Sequence, residues 1–288
     1  MIRDQSFDYL LSRLGRWEGV RQPYHIKDDQ IVADPPLSVV ETFDRSGPDS
    51  VYHTVQLPGS PLLEFTLAAS SDALAIAPSG KAPTPLPASR GWPGGSYSNG
   101  DVSWSRGERL VVELAIVEAG RRMSLVTVYG GDGHLERAVT ADLVSDRRHS
   151  PATVVDREWY FGEFAGEGQR WRGDEPMVTT DSGIVLADEG ESFILRWRSG
   201  PAGETWRGRR AGESVVFPDE GVTLFFLPDG WAFFPLALEA GRSFTIERAW
   251  QPEPGRQIRI LRSYGDDGRW IQTSLIGETR TEMGAPAD

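Results

Sequence analysis

In LGRWEGVRQPYH, Trp17, Arg21 and His25 follow one another at four-residue spacing. In an extended chain, residues 17, 19, 21, 23 and 25 share one face. That face offers an aromatic surface, a fixed cation and an imidazole that titrates near neutrality. In a pocket, Arg21 could polarise a carbonyl while His25 moves a proton; the plainer reading is an ion-paired or hydrogen-bonded pair. QIRILRSYG places Arg262 and Tyr264 on one strand face with Ile258 and Ile260. Arg262 there could anchor a carboxylate or enolate. His53, between Val51 and Val55 in VYHTVQL, reads either as a ligand contact or as a satisfied interior histidine.

Aromatic residues supply candidate walls. SRGWPGGSYSNGDVSW carries Trp92, Tyr97 and Trp104 in a Gly- and Ser-rich stretch that reads as a lid or a plain loop. Trp206, Trp231, Phe233 and Trp250 are candidate apolar lining, with Tyr264 beside them. REWYFGEFAGEGQRW concentrates further rings, read as core and interface packing or as a pocket rim.

Several chemistries are disfavoured. The chain has no cysteine, and its four histidines show neither HxH nor HExxH spacing, so no metal site is expected. Gly-x-Ser-x-Gly is absent, so no catalytic triad is signalled, and no glycine cluster follows a strand in phosphate-loop spacing, so no nucleotide cradle is; no cofactor is expected. A net charge of −12 without a basic stripe argues against nucleic acid and anionic membranes. No apolar run of about 18 residues suggests membrane insertion. The N-terminal stretch has no secretory apolar core, so a cytoplasmic protein is expected.

The elements that must position these groups are strands. Short apolar runs such as RLVVELAIVE, MSLVTVYG, VTLFFL and FTIERAW are cut by Gly, Pro, Asp and Ser, which predicts an all-β chain. A short helix is predicted over Gln5–Leu14 from the helical spacing of Phe7, Leu10, Leu11 and Leu14. The chain also repeats. Shifted by 135 residues without a gap, the segment from Pro93 overlies that from Pro228, with identities such as Gly95/Gly230, Glu118/Glu253, Tyr129/Tyr264 and Gly133/Gly268. Each copy reads as strand, Gly-Arg turn, strand ending in Tyr, Asp-Gly hairpin turn, strand. Two domains are expected, 1–150 and 151–288, each an antiparallel up-and-down barrel closing its own edges. Paired β-sandwiches are the alternative.

With a short helix leading into Gly-x-Trp, LxRLGRWEGVRQPY resembles the opening of calycin, or lipocalin-type, barrels. That resemblance implies that Trp17 closes a barrel floor against Arg147 or Arg148. FFLPDGWAFFP, FTIERAW and IRILRSYGDDGRWIQTSLIGETR resemble the family known as domain of unknown function 3598, which has two lipocalin-like barrels and no settled activity. Related two-barrel calycins include cofactor-free cyclases. The opening also resembles S-type phycobiliprotein lyases, in which Gly15, Trp17, Arg21 and His25 would correspond. The expected function is binding of an apolar, polyene-like molecule. The reading leans to a cofactor-free cyclase or isomerase of specialised metabolism that folds its substrate into a reactive shape, with Arg21, His25 and Arg262 as catalytic groups. The alternatives are a non-catalytic carrier or pigment (bilin) chaperone, and an interaction protein with filled barrels. A homodimer stays open.

Overall fold

The computed structural model describes residues 11–27, 30–69, 74–78, 84–86, 89–92, 94–146, 157–172, 175, 177–190, 192–199 and 202–281. The first half contains β1 (Gly15–Lys27), β2 (Gln30–Ala33), β3 (Leu37–Gly47), β4 (Ser50–Gln56), β5 (Leu63–Ala69), β6 (Leu74–Pro78), β7 (Thr84–Leu86), β8 (Arg90–Gly91), β9 (Tyr97–Gly100), β10 (Leu110–Glu118), β11 (Arg121–Tyr129) and β12 (Leu135–Ser145). A 3-10 turn over Arg157–Tyr160 leads into the second half. It contains β13 (Gly162–Arg172), β14 (Val178–Asp188), β15 (Ser192–Ser199), β16 (Ala202–Ala211), β17 (Ser214–Phe217), β18 (Val222–Leu227), β19 (Gly230–Phe234), β20 (Phe244–Glu253), β21 (Arg256–Tyr264) and β22 (Trp270–Arg280).

The chain is all-β, as expected, and strands pair mainly with their sequence neighbours. β13 to β22 form a closed barrel in which the first strand pairs with the last. The first half follows the same plan, with β1 between β3 and β12, but its sheet ends at β7 and β8 without a pairing between them among the described residues. Closure was expected in both halves and is seen in one. Residues 5–10 of the expected helix lie outside the described residues. In its remainder Leu11 is helical and Ser12–Arg13 form a turn, with Leu14 N donating to Leu11 O at 3.2 Å. The expected domain junction, with Arg147 and Arg148, also lies outside the described residues. No helix among the described residues is long and apolar enough to cross a membrane.

The repeat is real but needs a gap. Tyr129 and Tyr264 end matching strands, yet Leu110 pairs with Tyr129 while Phe244 pairs with Tyr264. The offset is therefore 134 before the irregularity between Trp250 and Glu253 and 135 after it. Such an insertion inverts side-chain parity between the copies. Gly95 and Gly230 are consequently not structural equivalents. The Asp-Gly turns are also longer than expected. Gly130 N donates to His134 O, and Gly265 N to Arg269 O, each enclosing three residues. Gly133 and Gly268 take the positive φ (88° and 73°) that closes such a loop.

The copies match in their first strands as well. Gly15-x-Trp17-x-Gly19 in β1 corresponds to Gly162-x-Phe164-x-Gly166 in β13, with positive φ at both leading glycines. A Cβ on Gly19 would overlap the Asp142 carbonyl oxygen, and one on Gly166 the Gly277 carbonyl oxygen. The first strand therefore crosses the last at a distance only glycine permits. Gly166→Ala is expected to cost about 2 kcal/mol through overpacking; an unchanged urea midpoint would contradict this.

The largest buried cluster among the described residues lies between the halves. Val112, Leu114 and Ile116 of β10 meet Ile246, Ile258 and Ile260 of β20 and β21. The contact is pseudo-symmetric. Tyr129 OH donates to Pro235 O, and Tyr264 OH donates to Asp101 O, both at 2.9 Å. Leu135 N donates to Leu236 O, and Trp270 N to Val102 O. The halves thus join as two copies of one surface, through backbone bonds as well as apolar burial.

Candidate functional site

Inside the second barrel, alternate residues of each strand point inward. Thr180, Ser182 and Ile184 of β14, Leu195 and Trp197 of β15, and Trp206 of β16 face Trp231, Phe233, Glu247, Arg259 and Leu261 across a cavity of about 130 Å³. Trp206 and Phe233 stack with centroids 5.5 Å apart, and Trp197 meets Trp206 edge-on at 78°. Trp197 and Trp206 are half-buried and Arg198 is exposed at the rim, whereas Leu195, Trp231, Phe233, Glu247 and Arg259 are buried. The cavity is smaller than the roughly 300 Å³ of a drug-sized site. It matches a compact molecule or one end of a longer one, since a cavity of about 150 Å³ can hold a single benzene ring.

Arg259 joins two carboxylates at this site. Its Nε donates to Glu247 Oε1, and its Nη1 to Glu278 Oε1 at 3.1 Å. Glu278 also accepts from Ser182 Oγ and Gln257 Nε2, at 3.0 and 2.7 Å. Burial pushes the Glu247 carboxyl up, and the Arg259 guanidinium only partly offsets this while Glu278 adds to it. One cation shared by two carboxylates favours a proton on the less well bonded one. A raised carboxyl beside a cavity is a candidate acid.

The first half fills the equivalent space. The strand pairings align Arg21 with Gly168, Glu41 with Ile184, His53 with Leu195 and Arg122 with Gln257. Arg21 Nη2 donates to Glu41 Oε1 at 2.6 Å, and Arg122 Nη2 donates to Glu41 Oε2. His53 Nε2 lies 3.1 Å from Glu41 Oε2 and stacks on Phe43 at 4.1 Å. Burial raises the Glu41 carboxyl, but Arg122, His53 and Arg21 together hold it well below the carboxylate range. Burial also lowers His53, against the pull of Glu41, so the ring is neutral and donates from Nε2.

These shifts set a pH dependence. His53 binds its proton less readily when folded, so its contribution is complete above about pH 6.5 and is lost as pH falls toward its folded value. Glu41 behaves likewise below its ordinary value of 4.5. Glu247 has the opposite sign and loses its contribution as pH rises through its raised value. The melting temperature is expected to fall on acidification from pH 7, with the first part of the fall absent in His53→Gln. An identical profile in that variant would contradict the assignment.

The remaining sequence-predicted residues separate into three places. Trp206, Trp231 and Phe233 line the cavity. Trp92, Trp104, Trp250 and Tyr264 are buried in the seam between the halves. Tyr97 lies in the first-half core, with the Arg13 guanidinium 3.7 Å from its ring centre and its OH on Glu113. Trp92, Tyr97 and Trp104 are therefore packed into the body of the protein. Arg262 is fully buried in the seam: Nε donates to Tyr264 OH at 2.7 Å and Nη2 to Asp101 O at 3.1 Å, over the Trp270 ring. His25 sits on the β1–β2 hairpin, with Nδ1 3.0 Å from Asp34 Oδ1. Arg21, His25 and Arg262 do not converge on one site. Trp17 lies under Arg122, whose guanidinium is 5.8 Å from the ring centre. Glu247, Arg259 and Glu278 were missed; for Arg259 the available signal was its two-residue spacing with Gln257, Leu261 and Ser263 on β21.

The model of the family described as "Biogenesis factor required for ATP synthase 1, C-terminal domain" matches residues 161–281, the span of the closed barrel. Among solved structures, a protein of unknown function from the DUF3598 family of Nostoc punctiforme is similar at 20% identity. The match covers 96% of this chain and 98% of that one, with a TM-score of 0.81, and shows a shared fold. An S-type phycobiliprotein lyase from Guillardia theta overlaps in part, at 12% identity over 44% of this chain and 91% of that one, with a TM-score of 0.32. No curated protein matches by sequence.

Proposed function

We propose that this chain is a small-molecule-binding protein whose site is the interior of the second barrel. The observation that carries the reading is the difference between the halves. Where the first uses Arg21, Glu41 and His53 to fill its interior, the second has Gly168, Ile184 and Leu195 around open space. Aromatic walls with a few polar groups suit an apolar ligand held by one functional group. The resemblance of LxRLGRWEGVRQPY to lipocalin-type openings supports the same reading. Carriage needs nothing further. A cyclase or isomerase would draw its acid from Glu247, beside the cavity, rather than from Arg21, His25 or Arg262. Cytoplasmic residence, the domain boundary near residue 150 and the absence of nucleic-acid partners remain part of this proposal.

Native mass spectrometry after exposure to a lipid and pigment extract tests it. A retained compound is expected for the parent chain and not for Gly168→Leu, which fills the cavity. Recovery of that compound unchanged supports carriage, and recovery as an isomer supports catalysis. Equal retention by Gly168→Leu, or none by either chain, would contradict the proposal.

A second reading follows from the matched family's description: a protein that assists assembly of an ATP synthase through its second half. Its support is the coincidence of residues 161–281 with one closed barrel. Co-purification of ATP synthase subunits with the chain, undiminished by Gly168→Leu, would favour that reading over ligand binding.

A further inference from the structure

We infer that the molecule held in the second barrel presents an organic cation, an ammonium or quaternary ammonium group, to Glu247 between Trp197, Trp206 and Phe233. This rests on the function proposed above and specifies its ligand. Three features of the cavity converge on it. The first is charge. Arg259 is one guanidinium set against two buried carboxylates. Glu278 is saturated by Arg259, Ser182 and Gln257, whereas Glu247 accepts one bond, on Oε1. Glu247 Oε2 has no partner among the described residues. An arriving cation would complete the charge balance.

The second feature is the wall. Trp206 and Phe233 lie nearly parallel, and Trp197 stands across them at 78°. Ring faces attract cations through their quadrupole, more strongly where water is excluded. The Trp231 face already holds the Arg259 guanidinium, 5.7 Å from its ring centre. The same interaction is thus in use within the barrel; Trp206 and Phe233 cover one face of each other, which leaves the cavity-facing surfaces of this pair and of Trp197 for a ligand. The third is size. About 130 Å³ accommodates a compact ammonium group and little more. Arg198 opposes a cation only from the exposed rim, where solvent and salt screen it. Burial raises the Glu247 carboxyl, and a bound cation would favour its charged form, so affinity should rise with pH through the carboxyl's range.

Titration calorimetry on the full chain can test this with three probes: choline, the alcohol in which carbon replaces its nitrogen, and pivalate. Choline is expected to bind about tenfold more tightly than the neutral alcohol. Its affinity should fall in Glu247→Gln and in Trp206→Leu, and rise from pH 5 to pH 8, by about tenfold in each case. The alcohol should be indifferent to Glu247→Gln. Alcohol or pivalate binding as tightly as choline, and abolished by Gly168→Leu, would overturn the cation while leaving the barrel as the site. Failure of all three probes would overturn the inference, and the extract experiment would then judge the barrel site separately.

Discussion

Replacing Glu41 with alanine is expected to destabilise the folded chain by about 3–5 kcal/mol. The carboxylate is nearly inaccessible and takes bonds from Arg21, Arg122 and His53. Without it, Arg122 is left buried with its charge, because guanidinium does not release its proton in a protein. The loss should therefore far exceed that of the exposed Arg109–Glu136 pair, for which about 0–1 kcal/mol is expected. The second half indicates a rescue. Its equivalents of Glu41 and Arg122 are Ile184 and Gln257, and an apolar replacement of a buried pair is often neutral. Glu41→Ile with Arg122→Met should recover most of the loss in urea unfolding. A double variant as unstable as Glu41→Ala would show that the cluster's geometry, and not its uncompensated charge, is what matters.

Arg262→Ala is expected to cost about 3–4 kcal/mol, combining a void at a fully buried site with the loss of charged hydrogen bonds. The Gly100 and Asp101 carbonyls of the first half lose a donor, and so does the Tyr264 hydroxyl. Arg262→Met separates these contributions by keeping most of the volume, and should cost about 2 kcal/mol. Retention of compound from extract should be unchanged in either variant while it remains folded, because Arg262 faces the seam and not the cavity. Loss of retention with stability intact would return Arg262 to the binding site.

The contrast between Arg262 and Arg259 shows what the sequence could tell. Both lie on β21, and both faces of that strand are buried. Ile258, Ile260, Arg262 and Tyr264 face the other half, while Gln257, Arg259, Leu261 and Ser263 face inward. Alternation marks two faces but does not say which lies inside a barrel when neither meets water. The aromatic residues of β9 and of the Trp104 segment were hard to place for the same reason, since lining and seam demand the same side chains. The fold class, the meander and the repeat were legible because turn glycines and strand-length apolar runs are local signals. The one-residue insertion after Trp250 was not legible, because it leaves composition unchanged and alters only parity. The match of β1 to β13 was masked by Phe164 standing where the first copy has Trp17. The filled and hollow interiors follow from pairs such as Arg21/Gly168, which acquire meaning only once the strands are in register.

Crystals of the full chain under xenon pressure test the central claim most directly. Xenon occupies apolar space that side chains leave open. The account predicts a xenon site among Trp206, Phe233 and Ile184 in the second barrel, and none among Trp17, Phe43 and Tyr97 in the first. Xenon in the first half, or its absence from the second, would contradict the division into one filled half and one receptive barrel.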